Sequence, residues 1–596
     1  MTETQANRNH EQVVPAHTME KPTGEHHETT VEHVKEVNAA IARTDSHLDV
    51  AHAPLGWRSW LVVLVTMFGN LTLVFVVVAA GSVIAFIIRD IGEPGLAGWI
   101  IQGPLLVQSV LCPIVGRLSD VIDRKYIASF QLTVAFVGSI VSARAESMNT
   151  LIGGGILIGV GLSSLGIIVA IPAEVLPLKY RAIANGANFL GGAFGGLVGQ
   201  LGAGAVTNAD KGGWRNIFWM QAAFHGATVL MLLAFYHPPR RSDYPKMKVA
   251  EYLWSLDPVG AILFIGGATL IILALDWTGG TYPWRDAHVI APLVVGIVLL
   301  IFFGFYEWKG RSDGIVAHVM FKKGYNFPLA VFAFAVEGWI FFSAVNSVTP
   351  QVILNLGWES TSWQIAIRQL AYQLPAICFS IPMVLYSTKF KDLKNPLLLT
   401  YGIFLIVCIC YATVTPSEDR AQYAFAVLAG IGQSGPLTLI LALVQFAAPH
   451  AFIATASGFA LSARAIGGAF GSAVLDAIVN GKIDATLARD VGEAATNAGL
   501  PASSVPDLVE AIGAGEGFDG VAGINSTILE QALHASHSAY ARAYRLAWAS
   551  VIPFVALALV AVWFIKHVKE LMTDHVEASV ESKKAPAGSD VEASAK

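Results

Sequence analysis

Charged side chains are scarce in this chain of 596 residues. They make up 14% of the sequence, whereas 54% of the residues are hydrophobic and the mean hydropathy is +0.57. Soluble domains carry about 25% charged residues, so the composition argues against a soluble enzyme, a nucleic-acid binder and a disordered scaffold. Glycine is abundant, with 56 residues, and glycine is frequent in membrane helices. The sequence therefore predicts an all-α membrane protein that crosses the bilayer many times.

Cysteine is also scarce, and its four positions (Cys112, Cys378, Cys408 and Cys410) fall in apolar runs. We therefore expect no disulfide framework and no CxxC metal site. The first 50 residues are polar and contain six histidines, whose spacing matches no closed metal site, so a disordered tail is expected. No cofactor, metal or enzymatic activity is predicted, and the phosphate-binding loop of ATP-driven pumps does not occur.

The apolar residues are grouped into long runs. A bilayer core about 30 Å thick needs about 20 apolar residues per helix, and fourteen such runs are present. The predicted spans are 60–88, 98–116, 127–143, 151–173, 183–206, 215–236, 258–277, 289–306, 328–349, 363–386, 396–414, 423–447, 452–479 and 544–565.

The distribution of lysine and arginine among the loops predicts the orientation. These residues are concentrated in the loops on one side, which the positive-inside rule makes cytoplasmic, and both termini then lie in the cytoplasm. The plasma membrane is the expected location, with an internal membrane left open. The long loop 480–543 is then extracellular, and its sequon makes Asn525 a candidate for glycosylation.

A short repeat indicates how the spans are organised. The sequence Gly-Gly-Ala-Phe-Gly begins at Gly191 in the fifth span and again at Gly467 in the thirteenth. These two spans occupy the same position if the chain has two six-helix halves with two inserted helices. Parallel six-helix repeats are typical of one large transporter class. The predicted organisation is a disordered cytoplasmic tail (1–56), an N-terminal six-helix bundle (57–236), a basic cytoplasmic loop (237–256), two inserted linker helices (257–308), a C-terminal six-helix bundle with the extracellular loop 480–543 (309–566), and a cytoplasmic tail (567–596).

Two loops carry a resemblance to a known family. Residues 116–125 read Gly-Arg-Leu-Ser-Asp-Val-Ile-Asp-Arg-Lys. This resembles the signature of the major facilitator superfamily at every defined position except Asp123, where the pattern has glycine. Residues 174–181 resemble the acid, proline and arginine of that superfamily's second cytoplasmic loop. The resemblance implies the major facilitator fold, with two six-helix bundles plus two inserted helices.

In the family, these loops are thought to hold one conformation of the transporter. The resemblance therefore implies gating roles for Gly116, Asp120, Arg124, Glu174 and Arg181. We expect Asp120 and Arg124 to pair with Glu174, Arg181 or the dipole of a neighbouring helix terminus. A basic loop that only sets the membrane orientation is the alternative.

The number of spans and the long last outer loop resemble the fourteen-span drug:proton antiporters. Residues 213–218, Gly-Trp-Arg-Asn-Ile-Phe, resemble the fungal group that contains trichothecene efflux pumps and siderophore–iron transporters. The chain departs from the antiporter motifs at Gly155 and Ile158, where they have arginine and glutamine, and its fifth span lacks their proline.

The resemblance implies proton-coupled export of a bulky toxin or drug by alternating access. Siderophore–iron uptake is the alternative, followed by a nutrient sensor that does not transport. The expected partners are a small-molecule substrate, protons and the lipid bilayer, with no nucleic acid, and a monomer is expected.

The family fold places the first, fourth, ninth and twelfth spans around a central cavity. Glu337 lies at the midpoint of the ninth span, and ionisable groups inside a membrane are costly and usually functional. We expect it to bind the coupled proton, with Arg464 of the thirteenth span neutralising it or a substrate anion. A permanently paired structural ion pair is the alternative. The predicted cavity residues are Asn70, Ser164, Asn346 and Gln433.

Overall fold

The apolar runs form helices in the computed structural model of the chain. It describes residues 55–93, 96, 99–209, 212–238, 253–277, 282–311, 314–322, 324–359, 362–514, 517–578 and 580. The predicted tail 1–56, apart from its last two residues, and most of the basic loop 237–256 lie outside this part of the chain. A helix satisfies its own backbone hydrogen bonds, which a bilayer core demands, and the described residues contain no β-strand.

The N-terminal half consists of six helices. They are α1 (Trp57–Ile91), α2 (Trp99–Val121), α3 (Arg124–Ala143), α4 (Met148–Val175), α5 (Arg181–Ala209) and α6 (Trp214–Phe235). Ser163 and Ser164 interrupt α4 between Met148–Leu162 and Leu165–Val175. Asp123, which replaces the glycine of the signature, caps α3 by accepting a hydrogen bond from the backbone of Lys125 (2.8 Å).

Two helices follow before the C-terminal half, namely α7 (Pro258–Trp277) and α8 (Ala287–Phe305). The C-terminal half contains α9 (Asn326–Asn355), α10 (Ser362–Phe390), α11 (Lys394–Ala412), α12 (Asp419–Ala447), α13 (Ile453–Asn497), α14 (Val505–Ala514) and α15 (Ser526–Phe564). Shorter helical turns lie at Leu178–Tyr180, Tyr306–Gly310, Val319–Lys322, His450–Phe452, Ala502–Ser504, Phe518–Gly520 and Lys569–Leu571.

Among the described residues, thirteen helices are long and apolar enough to cross a membrane. The predicted span that is missing from this set is the fifth, although α5 forms a helix of 29 residues there. Glycine and asparagine make α5 less apolar than α4 and α6, and small residues of this kind let membrane helices approach closely. The count of fourteen therefore stays a prediction.

Small residues let equivalent helices pack closely in the two halves. A methyl group on Gly191 would collide with the backbone of Met67 in α1. A methyl group on Gly467 would collide in the same way with the backbone of Ala335 in α9. The pairs α1–α5 and α9–α13 are thus in matching contact, as the glycine repeat predicts.

The two halves meet along α2, α4 and α5 on one side and α10, α12 and α13 on the other. The end of the bundle that carries the 122–123 loop, expected to be cytoplasmic, is called the inner end, and the opposite end is the outer end. Near the inner end, a methyl group on Gly116 would come within 2.5 Å of the carbonyl oxygen of Ala454 in α13. The inner ends of α2 and α13 are therefore in direct backbone contact.

At the outer end, α13 and α15 continue beyond the bundle. Residues of both helices pack with α14 around a small apolar core of their own, which includes Leu487, Val491, Leu508 and Ile528. The predicted extracellular loop 480–543 is therefore largely helical. Asn525 is exposed there as the cap of α15, and its side chain accepts a hydrogen bond from the backbone of Ile528 (2.8 Å).

Candidate functional site

Glu337 is fully buried near the middle of α9. The α-helical geometry of α9 ends at Gly338, and a π-helical segment, Trp339–Val348, follows directly. Such widened turns are rare and often occur at functional sites. No sequence signal predicts this segment, which places aromatic residues directly after the carboxylate.

Arg464 of α13 binds Glu337 through two nitrogens. Its Nε lies 2.5 Å from Oε2 and its Nη2 lies 3.1 Å from Oε1. This two-point contact fits the planar guanidinium and fixes the direction of the carboxylate. Gln433 of α12 donates a further hydrogen bond to Oε1. Three of the predicted residues therefore meet at one carboxylate, which we call the Glu337 site.

Aromatic rings surround the cation of this site. The guanidinium carbon of Arg464 lies 4.7 to 5.5 Å from the ring centres of Phe334, Phe341 and Phe342, within the range of cation–π attraction. The close approach of the helices depends on glycine, because a methyl group on Gly338 would overlap the backbone of Arg464. Close packing of α9 against α13 is what brings the arginine to the carboxylate.

The other predicted cavity residues lie apart from this site. Asn70 of α1 donates a hydrogen bond to the carbonyl of Asn188 in α5. Ser164 is buried at the break in α4. Asn346 is exposed and donates to the carbonyl of Phe341 in its own helix (2.7 Å). The hydrogen bonds recorded among the described residues connect none of the three to Glu337.

Asn188 is a buried polar residue that the sequence analysis missed. Neither its Oδ1 nor its Nδ2 has a hydrogen-bond partner among the described residues. It lies three positions before Gly191, as Arg464 lies three positions before Gly467. Aligning the two copies of the glycine repeat was therefore a signal that could have found it.

The predicted gating residues assemble at the inner end. The carboxylate of Asp120 accepts hydrogen bonds from the backbone of Ala454 (3.3 Å) and Thr455 (2.8 Å) and from the Thr455 hydroxyl (2.7 Å). These groups form the start of α13, where the helix dipole favours an anion. Arg124 binds both Asp120 (2.6 Å) and Glu174. The expected pairing with an acid and a helix terminus is thus present.

Arg181 has different partners from those expected. It donates to the backbone carbonyl of Gln445 in α12 (2.9 Å) and forms an ion pair with Glu577 (2.5 Å) after the last helix. The neighbouring Asn185 donates to the side-chain oxygen of Gln445 (2.8 Å). Arg181 therefore links the N-terminal half both to the C-terminal half and to the chain beyond α15.

Glutamines connect the halves nearer the outer end. Gln200 of α5 donates to Gln369 of α10 (3.2 Å) and accepts from Gln373 (2.8 Å). The α5–α10 contact therefore changes character along its length. It is apolar where Gly186 faces Val384 near the inner end and polar at the glutamines.

Comparison with known proteins identifies the family. Residues 59–595 match the family described as the fungal trichothecene efflux pump. The chain belongs to this family, which is part of the major facilitator superfamily. It is a membrane transporter and not an enzyme, as the sequence predicts.

Individual relatives agree with this assignment. The MFS-type transporter prx5 of Penicillium rubens is 26% identical over 530 residues, which cover 87% of this chain and 92% of that protein. The trichothecene efflux pump TRI12 of Fusarium sporotrichioides is 25% identical, with 81% and 82% coverage. The solved structure of the proton:xylose symporter XylE has a TM-score of 0.53 at 13% identity and covers 87% of this chain and 98% of its own. The XylE likeness supports the fold alone.

Proposed function

We propose that this efflux-pump family member exports a bulky organic compound, such as a toxin, in exchange for protons by alternating access. We place it as a monomer in the plasma membrane, with both termini in the cytoplasm. The direction of export is supported by its family and by relatives such as the efflux pump apf11 of Gibberella fujikuroi. Proton coupling is supported by the Glu337 site.

The single observation that carries the proton coupling is a fully buried carboxylate whose counter-ion comes from another helix. In this scheme the ionised Glu337, together with Arg464, binds a polar group of the substrate. Protonation removes the negative charge and releases that group, and loss of the proton restores the binding site. Proton and substrate thereby compete for one carboxylate, which is the requirement for exchange.

The surroundings of Arg464 fit an amphipathic substrate. Phe341 and Phe342 supply apolar contact area beside the cation, and ligand sites commonly combine aromatic walls with few polar groups. The polar groups of Asn70, Ser164 and Gln433 belong to the helices that line the cavity in the family fold. We propose that they contact the substrate, with Asn346 at the exposed margin.

The contacts at the two ends support alternating access. Hydrogen bonds and ion pairs of Asp120, Arg124, Glu174 and Arg181 join the halves at the inner end, where Gly116 permits backbone contact. Three glutamines join them nearer the outer end. Each set is polar, so water can replace it when the halves separate there.

Proton coupling can be tested in liposomes that contain the purified protein and a trapped pH-sensitive dye. A pH gradient is imposed, and trichothecenes, azoles and ferric siderophores are added in turn to the wild-type protein and to Glu337→Gln. Asp476→Asn is the control, because Asp476 lies on the same helix as Arg464 but forms no recorded ion pair with the described residues.

We expect one compound class to dissipate the gradient with the wild type and the control but not with Glu337→Gln. An equal response of Glu337→Gln would show that the pair is structural and would refute coupling at this site. Proton-driven accumulation of ferric siderophore in the direction of uptake would instead support the alternative function.

A further inference from the structure

The chain continues past α15 as a segment that crosses the inner end, and residues 566–578 are called the strap. The first part of the strap is attached to the C-terminal half. The side chain of Asn326 exchanges two hydrogen bonds with the backbone of Lys566 (3.0 and 2.8 Å). Val568 and Met572 are buried in the core of the same half. This part of the strap therefore moves with the C-terminal half.

The second part of the strap is attached to the N-terminal half. Three backbone hydrogen bonds of 2.9 to 3.0 Å join it to the region between α4 and α5: Leu178 to His575, Lys179 to Thr573, and Ala578 to Glu174. Two ion pairs lie beside them: Lys179 with Asp574, and Arg181 with Glu577. The strap thus spans the boundary between the halves and binds two residues of the predicted gate.

Charged groups crowd around this attachment. The acids are Asp120, Glu174 and Glu577, and the arginines are Arg117, Arg124 and Arg181. His450, in the turn before α13, places its Nδ1 3.2 Å from Glu174 and 3.3 Å from Glu577. The His450 imidazole of the C-terminal half therefore contacts both the N-terminal half and the strap.

Glu577 is held as an anion at this position. Burial acts to raise the pKa of Glu577, but the charge of Arg181 and the hydrogen bond with His450 outweigh it and hold that pKa well below its usual range. The negative charge of the strap therefore persists through physiological pH.

We propose that the strap is a further component of the inner gate and must detach from the N-terminal half before the inner end opens. This inference rests on the alternating access of the proposed function. Because the first part of the strap is fixed to the C-terminal half, separating the halves breaks its three hydrogen bonds and two ion pairs to residues 174–181.

Cys112 is a native reporter of gate opening. It is fully buried in the inner half of α2, and its backbone carbonyl lies against Gly458 of α13. Separation of these helices at the inner end would expose its thiol to a water-soluble maleimide. The measurement uses the full chain in lipid nanodiscs, with Cys378, Cys408 and Cys410 replaced by serine. The labelling rate of Cys112 reports how often the inner end opens, and its measurement requires no known substrate.

Two variants weaken the strap. One variant ends the chain after Met572. The other combines Asp574→Asn with Glu577→Gln and keeps the full length of the chain. Glu570→Gln is the matched control, because Glu570 is an exposed acid of the strap with no recorded ion pair to the described residues. We expect both strap variants to label Cys112 about tenfold faster, because hydrogen bonds to charged groups are stronger than those between neutral groups. The control should label at the rate of the parent.

Unchanged labelling of both strap variants would overturn the proposal, as would equal acceleration by Glu570→Gln. His450→Gln should also accelerate labelling, because it removes the imidazole that contacts both Glu174 and Glu577. An unchanged rate would remove His450 from the gate. If labelling changes as expected but no compound is exported, the proposed function is refuted, whereas the proposal that the strap belongs to the inner gate stands.

Discussion

The pairing of Glu337 with Arg464 makes a quantitative prediction about stability. Arg464→Met removes the guanidinium and leaves a fully buried carboxylate with a hydrogen bond from Gln433 alone. Breaking a buried ion pair by removing one partner costs about 3 to 5 kcal/mol. The Arg464 side chain is 12% exposed, so we expect a cost near the lower end, about 3 kcal/mol.

The double substitution Glu337→Gln with Arg464→Met should cost much less. The glutamine remains able to accept the hydrogen bond from Gln433, and no uncompensated charge is left in the interior. We expect the double variant to lose about 1 kcal/mol, because the remaining changes are lost packing and one altered hydrogen bond. Glu337→Gln alone leaves the arginine without its counter-ion and should also cost about 3 kcal/mol. The two single costs therefore exceed the cost of the double variant by about 5 kcal/mol, which is the coupling energy of the cycle.

The assay is a double-mutant cycle measured by thermal unfolding of the purified protein in detergent. An exposed pair serves as control: Arg215 lies 2.5 Å from Asp90, and both side chains are 31% exposed. Its coupling should stay below about 1 kcal/mol. If the effects at Glu337 and Arg464 are simply additive, the two residues are not energetically coupled and the reasoning about the buried pair is refuted.

Three further predictions concern other parts of the molecule. Gly338→Ala should reduce export and thermal stability, because the new methyl overlaps the backbone of Arg464, and wild-type transport by this variant would contradict the close α9–α13 contact. Asn525→Gln should abolish a glycosidase-sensitive shift on gels, and a wild-type protein without that shift would contradict glycosylation at this position. The ion pair of Glu577 with Arg181 should persist below the ordinary carboxyl range, because a depressed pKa keeps its contribution present until the pH falls through that lower value. The ratio of Cys112 labelling rates for Glu577→Gln and the parent, in which thiol ionisation cancels, should therefore be the same at pH 4.5 and 7, and a ratio that falls to one at pH 4.5 would contradict it.

Much of the architecture was predictable because a bilayer leaves a strong composition signal. Apolar length located most helices to within several residues, but α13 continues to Asn497 and α15 begins at Ser526, well beyond the predicted spans 452–479 and 544–565. The glycine repeat identified α5 and α13 as equivalent. The Glu337 site was predictable for a related reason. A carboxylate and a guanidinium inside apolar spans are conspicuous, and the cost of burying either alone favours their pairing.

The strap and the π-helical segment of α9 were not predictable. The strap is held largely by backbone hydrogen bonds, such as that from Lys179 to Thr573, and these leave no pattern in the side-chain sequence. The helical character of the outer region did leave a pattern in the sequence. Ile483, Leu487 and Val491 recur every four residues, which is the period of a buried helix face, and this pattern was present within the predicted loop.

The unbroken course of α13 has a mechanical consequence. Its 45 residues contain no proline, so the helix is about 68 Å long and joins the Asp120 contact, Arg464 and the outer helical region in one rod. Arg464 lies about 16 Å from the inner end of this rod and about 50 Å from its outer end. A tilt of about 5° around Arg464 would move the inner end by about 1.4 Å and the outer end by about 4 Å, from the same rise per residue. A shift just sufficient to break a hydrogen bond at the inner end would then move the outer helical region through about three times that distance.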